Sequence, residues 1–155
     1  MITMDDPLQL LEACEVCPRR CRVNRLKGER GACRVGDKAV IAHYGPHFGE
    51  EPPITGTKGS GNVFFSSCNL RCIYCQNHQI SQGTDNEAHE IDKGELADIM
   101  LNLQDKRGCH NINLVSPSHF VPQIIEALLT AVPLGLNIPL VYNTNGYDSL
   151  ETIKE

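Results

Sequence analysis

The stretch GSGNVFFSSCNLRCIYCQNHQIS, residues 59–81, decides how the rest of the chain is read. Its first half, NVFFS, is a short and nearly continuous apolar run, the pattern of a strand buried on both faces. Three cysteines follow at once, Cys68, Cys72 and Cys75, in the spacing C-x3-C-x2-C. A structural zinc site wants four ligands. Three thiolates on one loop therefore need a fourth ligand from elsewhere, or hold a metal centre with one position left open. A zinc knuckle completed by His78 is one reading. A cubane four-iron four-sulfur cluster, with one iron free for a small molecule, is the other. A loop of this spacing directly after a strand favours the cluster.

Working outward, the downstream half alternates. Asp92 followed by Glu95 makes a capping-box start, and Leu96, Ile99, Met100 and Leu103 recur at helical spacing up to Gly108. NINLV (111–115) reads as a second buried strand. SPSH then turns the chain into a helix with Val121, Ile124, Ile125, Leu128 and Leu129 on one face and Pro122 in its first turn. IPLVY (138–142) is a third strand, NTNGY a turn, and DSLETIKE a third helix start. Such alternation implies an α/β fold of parallel strands joined by right-handed crossovers, with the chemistry on the loops after the strands.

The upstream half is different in texture. Residues 1–60 hold a short helical PLQLLEA, one strand in KAVIAHYG, and loops rich in Gly and Pro. We divide the chain into a cysteine-containing N-terminal extension, 1–60, and a core domain, 61–155. In the extension, Cys14, Cys17, Cys21 and Cys33 are spaced C-x2-C-x3-C-x11-C. This matches neither a bacterial ferredoxin run nor a regular zinc ribbon, and structural zinc, an auxiliary iron–sulfur cluster and simply buried thiols all remain open. Cys109 reads as a small buried hydrophobe. GEEPP, with Glu50 and Glu51, reads as a solvated loop, a place near the active rim being the other reading.

Composition bounds the function. With 155 residues, 41% hydrophobic and 21% charged, the chain has the balance of a folded domain, and its net charge of -5 disfavours binding to nucleic acid. No run approaches the roughly 18 apolar residues of a membrane span. The opening MITMDDPLQLLEACEVC carries acidic residues where an export signal would be basic, so a cytoplasmic location is expected, and clustered cysteines there read as metal ligands rather than disulfides.

The C-x3-C-x2-C loop with Tyr74 before its last cysteine resembles the signature of the radical S-adenosylmethionine (SAM) superfamily. GSGNVFFSSCNLRCIYCQNHQISQG, CEVCPRRCRVNRLKGERGACRVG, HFGEEPPITGTKGSG, NINLVSPSHF and LVYNTNGY resemble the PflX-like iron–sulfur proteins related to pyruvate formate-lyase activating enzymes. That resemblance implies a 4Fe-4S cluster on Cys68, Cys72 and Cys75, chelated at its open iron by SAM. Reductive cleavage of SAM would give a 5'-deoxyadenosyl radical that abstracts hydrogen. It further implies Tyr74 against the adenine, and Asn143, Thr144 and Asn145 near the ribose or methionine part, unless these only build the turn. Many members carry a Gly-Gly-Glu motif after the second strand, where this chain has SPSH. Ser116, Ser118 or His119 are the candidates to replace that grip, while Ser118 can equally be a helix cap and His119 a packing group. The implied fold is a partial (β/α) barrel with about three β/α units present, as in a truncated enzyme, which leaves the third strand as an apolar edge. The implied partners are an electron donor such as flavodoxin or ferredoxin and a glycyl-radical enzyme as protein substrate. A small-molecule substrate, or a non-catalytic iron–sulfur or zinc-binding protein, are the alternatives.

Overall fold

The computed structural model describes residues 6–82 and 88–154. Residues 1–5, on which part of the location argument rests, and Glu155 lie outside them. Five strands, β1 (Ala39–His47), β2 (Ser60–Phe65), β3 (His89–Ile91), β4 (Ile112–Val115) and β5 (Leu140–Asn143), form one open sheet in the order β3-β1-β2-β4-β5. The helices are α1 (Pro52–Thr55), α2 (His78–Ser81), α3 (Lys93–Asp105), α4 (Val121–Ala131) and α5 (Leu150–Ile153), with 3-10 turns at Pro7–Leu11 and Arg25–Lys27.

The three strands expected from NVFFS, NINLV and IPLVY are β2, β4 and β5, and they run parallel, Val63 beside Leu114 and Leu114 beside Tyr142. The sheet as a whole is mixed, because β1 pairs antiparallel with both β2 and β3. Strand alternation divides its two faces. Val63, Phe65, Ile112 and Leu114 point to the helices, where they pack with Leu96, Met100 and Leu103 of α3 and Ile124, Ala127 and Ala131 of α4 in one core. Each such side chain contributes roughly 1.5–3 kcal/mol by leaving water. Ala39 and Ile41 of β1 and Val35 belong to the same core, so the second half of the extension is built into the sheet. A smaller cluster of Leu11, Cys14, Val16 and Val121 fixes residues 8–16 to α4.

Local chemistry sets the boundaries. Helix α3 starts at the expected capping box: the Glu95 amide donates to Asp92 Oδ1 at 2.9 Å and the Asp92 amide donates to Glu95 Oε2 at 2.8 Å. Helix α4 starts with Pro122 in its first turn, but its N-cap is Phe120, so Ser118 does not cap it. At Gly61 a Cβ would stand 2.9 Å from the Asn111 carbonyl oxygen, and this close approach of β2 to the preceding turn of β4 requires glycine.

The opposite face of the sheet carries polar side chains among apolar ones. It presents Asn62 and Phe64 of β2, Asn113 and Val115 of β4 and Asn143 of β5. Strand β5 stands at the edge, where Leu140 and Tyr142 are exposed, and a groove of about 350 Å³ runs between β5, α4 and Ile153 of α5.

Candidate functional site

The three-cysteine loop leaves the carboxyl end of β2 through Ser67, whose φ of 66° is a left-handed conformation unfavourable for a side chain. That turn is held by the Ser67 amide donating to the Ile80 carbonyl at 2.8 Å, which folds the loop back onto α2. Cys68 is buried, whereas Cys72 and Cys75 are half-buried, and none of the three is in a disulfide. Two donors are aimed at Cys68 Sγ: the Leu70 amide at 3.4 Å and the Asn145 side-chain amide at 3.2 Å. The Ser81 hydroxyl donates to Cys75 Sγ at 3.2 Å. Ile73 and Tyr74 protrude from the loop almost fully exposed, a large apolar surface with no protein cover.

The loops after β4 and β5 meet this one, as a parallel arrangement requires. Ser116, with φ 58°, ends β4, and its amide donates to the Asn143 carbonyl at 2.9 Å. Asn145 joins the turn after β5 to the cysteine loop, since its amide also donates to Asn69 Oδ1 at 2.8 Å. Its own Oδ1 accepts from the Tyr147 amide, so Asn145 builds the turn and touches Cys68 at once. Thr144 accepts from the Gly146 amide and donates to Asp148, and Gly146 takes a φ of 77°. Between these loops and β1 opens a cleft of about 480 Å³ lined by Ser116, Asn143, Thr144 and Asn145 together with Phe64 and Glu50. Ser118 lies beneath this rim, buried, with its hydroxyl 3.5 Å from Thr144 Oγ1.

His119 is buried too. Its Nε2 meets the Ser66 carbonyl at 3.1 Å, and burial holds its pKa down at about 4. It is a neutral strut beneath the cysteine loop, in keeping with the packing alternative.

The sequence profile of the Radical SAM superfamily matches residues 62–155. The chain belongs to the radical SAM superfamily. Among curated proteins it is similar to the uncharacterized protein MJ0674 of Methanocaldococcus jannaschii, 33% identical over 147 residues that cover 92% of this chain and 41% of that protein. It is also similar to the uncharacterized protein MJ0808 of the same organism, 25% identical over 158 residues that cover 91% of this chain and 45% of that one. The chain thus spans less than half the length of these relatives. No solved structure matches it.

Radical SAM proteins use a 4Fe-4S cluster and SAM, and the donor set here fits such a cluster: three free thiols on one loop, with N–H and O–H groups directed at two of the sulfurs. Among the described residues no group of three or more His, Cys, Asp or Glu side chains is arranged to hold a metal ion. This holds equally for Cys68, Cys72 and Cys75, with or without His78, and for the four N-terminal cysteines. The polar groups that sequence reading passed over lie on the inner face. Glu50 is not a solvated loop residue, because its Oε1 accepts from Asn62 Nδ2 at 2.8 Å, and Asn62 Oδ1 accepts from Asn113 at 3.1 Å. The signal was present as asparagines interrupting otherwise apolar strands. Asn69 was also missed. It is fully buried and donates to the Tyr147 carbonyl at 2.8 Å.

The N-terminal cysteines come together. Cys14, Cys17, Cys21 and Cys33 all line one small cavity, all as free thiols. Burial pushes the Cys17 and Cys33 thiols up from their ordinary values. The same segment grips the core, as Arg19 donates to the carbonyls of Asn69 at 2.9 Å and Leu70 at 3.3 Å. Cys109 is buried in the main core, as expected.

Proposed function

We propose that this chain is the cluster- and SAM-binding part of a radical SAM enzyme of the activating-enzyme type, with a partial (β/α) barrel as its scaffold. In this reading Cys68, Cys72 and Cys75 ligate the 4Fe-4S cluster. The bound cluster supplies one electron for cleavage of the sulfonium carbon–sulfur bond of SAM, giving methionine and the hydrogen-abstracting 5'-deoxyadenosyl radical. The observation that carries the proposal is the contact of Asn145 with Cys68, which ties the turn after β5 to the cysteine loop over the cleft.

The chain's own residues then have distinct tasks. The donors on Cys68 and Cys75 stabilise negative charge on the sulfurs. Ser116 and Asn143 offer polar atoms at the mouth of the cleft, and the exposed face of Tyr74 is available to stack on the adenine. Thr144 and Asn145 hold the turn in position. A reductant such as flavodoxin or ferredoxin would approach the exposed side of the loop. A glycyl-radical enzyme is the proposed substrate, and a small polar molecule is the second reading, favoured by the polar floor formed by Asn62, Asn113 and Glu50.

The test is anaerobic reconstitution with iron and sulfide, followed by electron paramagnetic resonance of the reduced protein with and without SAM. A signal that shifts with SAM and disappears in a Cys68→Ala, Cys72→Ala, Cys75→Ala variant is the expected result. Failure to form any cluster on these residues would overturn the proposal.

A further inference from the structure

Among the described residues outside the proposed SAM site, a buried charge is left without a counter-charge. Arg25 is 1% exposed, and a guanidinium keeps its charge at any physiological pH. Its Nε donates to the Gly36 carbonyl at 2.7 Å and its Nη1 to the His119 carbonyl at 2.9 Å, but Nη2 has no partner. No carboxylate pairs with it among the described residues. An unpaired buried charge is strongly destabilising, so an anion is expected within reach. The cavity that Arg25 lines contains no acidic side chain at all; what it contains is Cys14, Cys17, Cys21 and Cys33. Nη1 is already 3.9 Å from Cys14 Sγ. His119, on the same wall, has its own buried Nδ1 without a partner.

Neutral thiols cannot balance the guanidinium, whereas thiolates held on a metal can. Four thiolates around one zinc ion, or around a four-iron cluster, leave a centre of charge about −2. We infer that Cys14, Cys17, Cys21 and Cys33 bind a four-thiolate metal centre whose negative charge is paired by the buried Arg25. The thiols line one small cavity without being arranged around a single ion position, so loading would have to draw them inward. Such a centre would lock the loop-rich first residues together and, through Arg19 and Asn69, brace the Cys68 loop from behind.

The experiment isolates this site from the radical SAM reading. The full chain carrying Cys68→Ser, Cys72→Ser and Cys75→Ser is purified anaerobically, and zinc, iron and acid-labile sulfide are measured. About one zinc, or about four iron with four sulfide, per chain is expected, the first identifying a single ion and the second a cluster. X-ray absorption should show a first coordination shell of sulfur alone, with iron neighbours beyond it if the centre is a cluster. Arg25→Gln should release the metal to a chelator about tenfold more readily, with Arg25→Lys close to the parent. A folded triple variant that holds neither metal, even after exposure to zinc or to iron and sulfide, overturns the inference. So does a metal bound through nitrogen and oxygen alone. Because the measurement needs none of the N-terminal cysteines replaced, it does not depend on a variant that would fail to fold without its metal.

Discussion

Replacing Asn69 with alanine removes the joint between the cysteine loop and the turn after β5. The side chain is fully buried and takes part in two hydrogen bonds of 2.8 Å, donating to the Tyr147 carbonyl and accepting from the Asn145 amide. A net loss of about 1 kcal/mol per bond is the usual cost, more where the abandoned partner cannot reach water. Tyr147 and Asn145 are only half-buried and recover part of it from solvent. The expected destabilisation is therefore about 2 kcal/mol, or a fall in melting temperature of about 4–8 °C for a chain of this size. The assay is a thermal melt followed by circular dichroism, with Asn77→Ala as control, because Asn77 is exposed and its side chain caps nothing. In the reconstituted protein the same change should make the cluster harder to reduce, since the donor to Cys68 Sγ loses its own anchor. A melting temperature within about 1 °C of the parent and of the Asn77→Ala control would refute the reasoning and reduce Asn69 to a space-filling residue.

Further expectations concern the scaffold. His119 titrates at about 4 when folded and near 6.5 when unfolded, so the unfolded chain binds the extra proton. Its contribution, up to about 3 kcal/mol, is complete above pH 6.5 and lost as pH falls from there to about 4; urea titrations across that range should show the loss, and His119→Gln should flatten it. Gly61→Ala forces a Cβ to 2.9 Å from the Asn111 carbonyl oxygen and 3.3 Å from Cys109 Cβ, so chemical denaturation should report a loss of about 1–3 kcal/mol. Asp92→Ala breaks the capping box and should cost α3 about 1 kcal/mol, read as a shift in the urea midpoint with unchanged slope.

The parts of this molecule that a reader of the sequence can find are those governed by local rules. Asp92 and Glu95 announce α3 because a capping box is a contact between residues three apart. The apolar runs in β2 and β4 announce strands because both faces are covered. Strand β3 escapes notice for the opposite reason: it has three residues, His89 and Glu90 are exposed, and only its pairing with Ala39–Ile41 makes it a strand. The sheet is mixed rather than wholly parallel because β1 runs antiparallel to both β2 and β3, and its pairing with β3 joins residues some fifty apart in sequence. In the site, the cysteines are visible because their chemistry is written in spacing. Arg25, Asn69 and Glu50 are not, since each acquires its meaning from neighbours brought in by folding. A buried arginine looks, in sequence, like any other member of a basic run.

The mixed sheet has two unlike margins, and this gives the fold a direction of growth. At one margin β3 is short, carries His89 and Glu90 outward, and Glu90 pairs with Arg30 at 3.7 Å; charge and brevity discourage another strand from docking. At the other margin β5 exposes Leu140 and Tyr142 beside an apolar groove and carries no charged residue. A strand added there in parallel would continue the alternation already in place, with apolar side chains toward the helices and polar ones toward the cleft. The uncharged margin is also the one whose strand contributes Asn143 to the cleft, so the edge of the scaffold and the edge of the binding surface coincide.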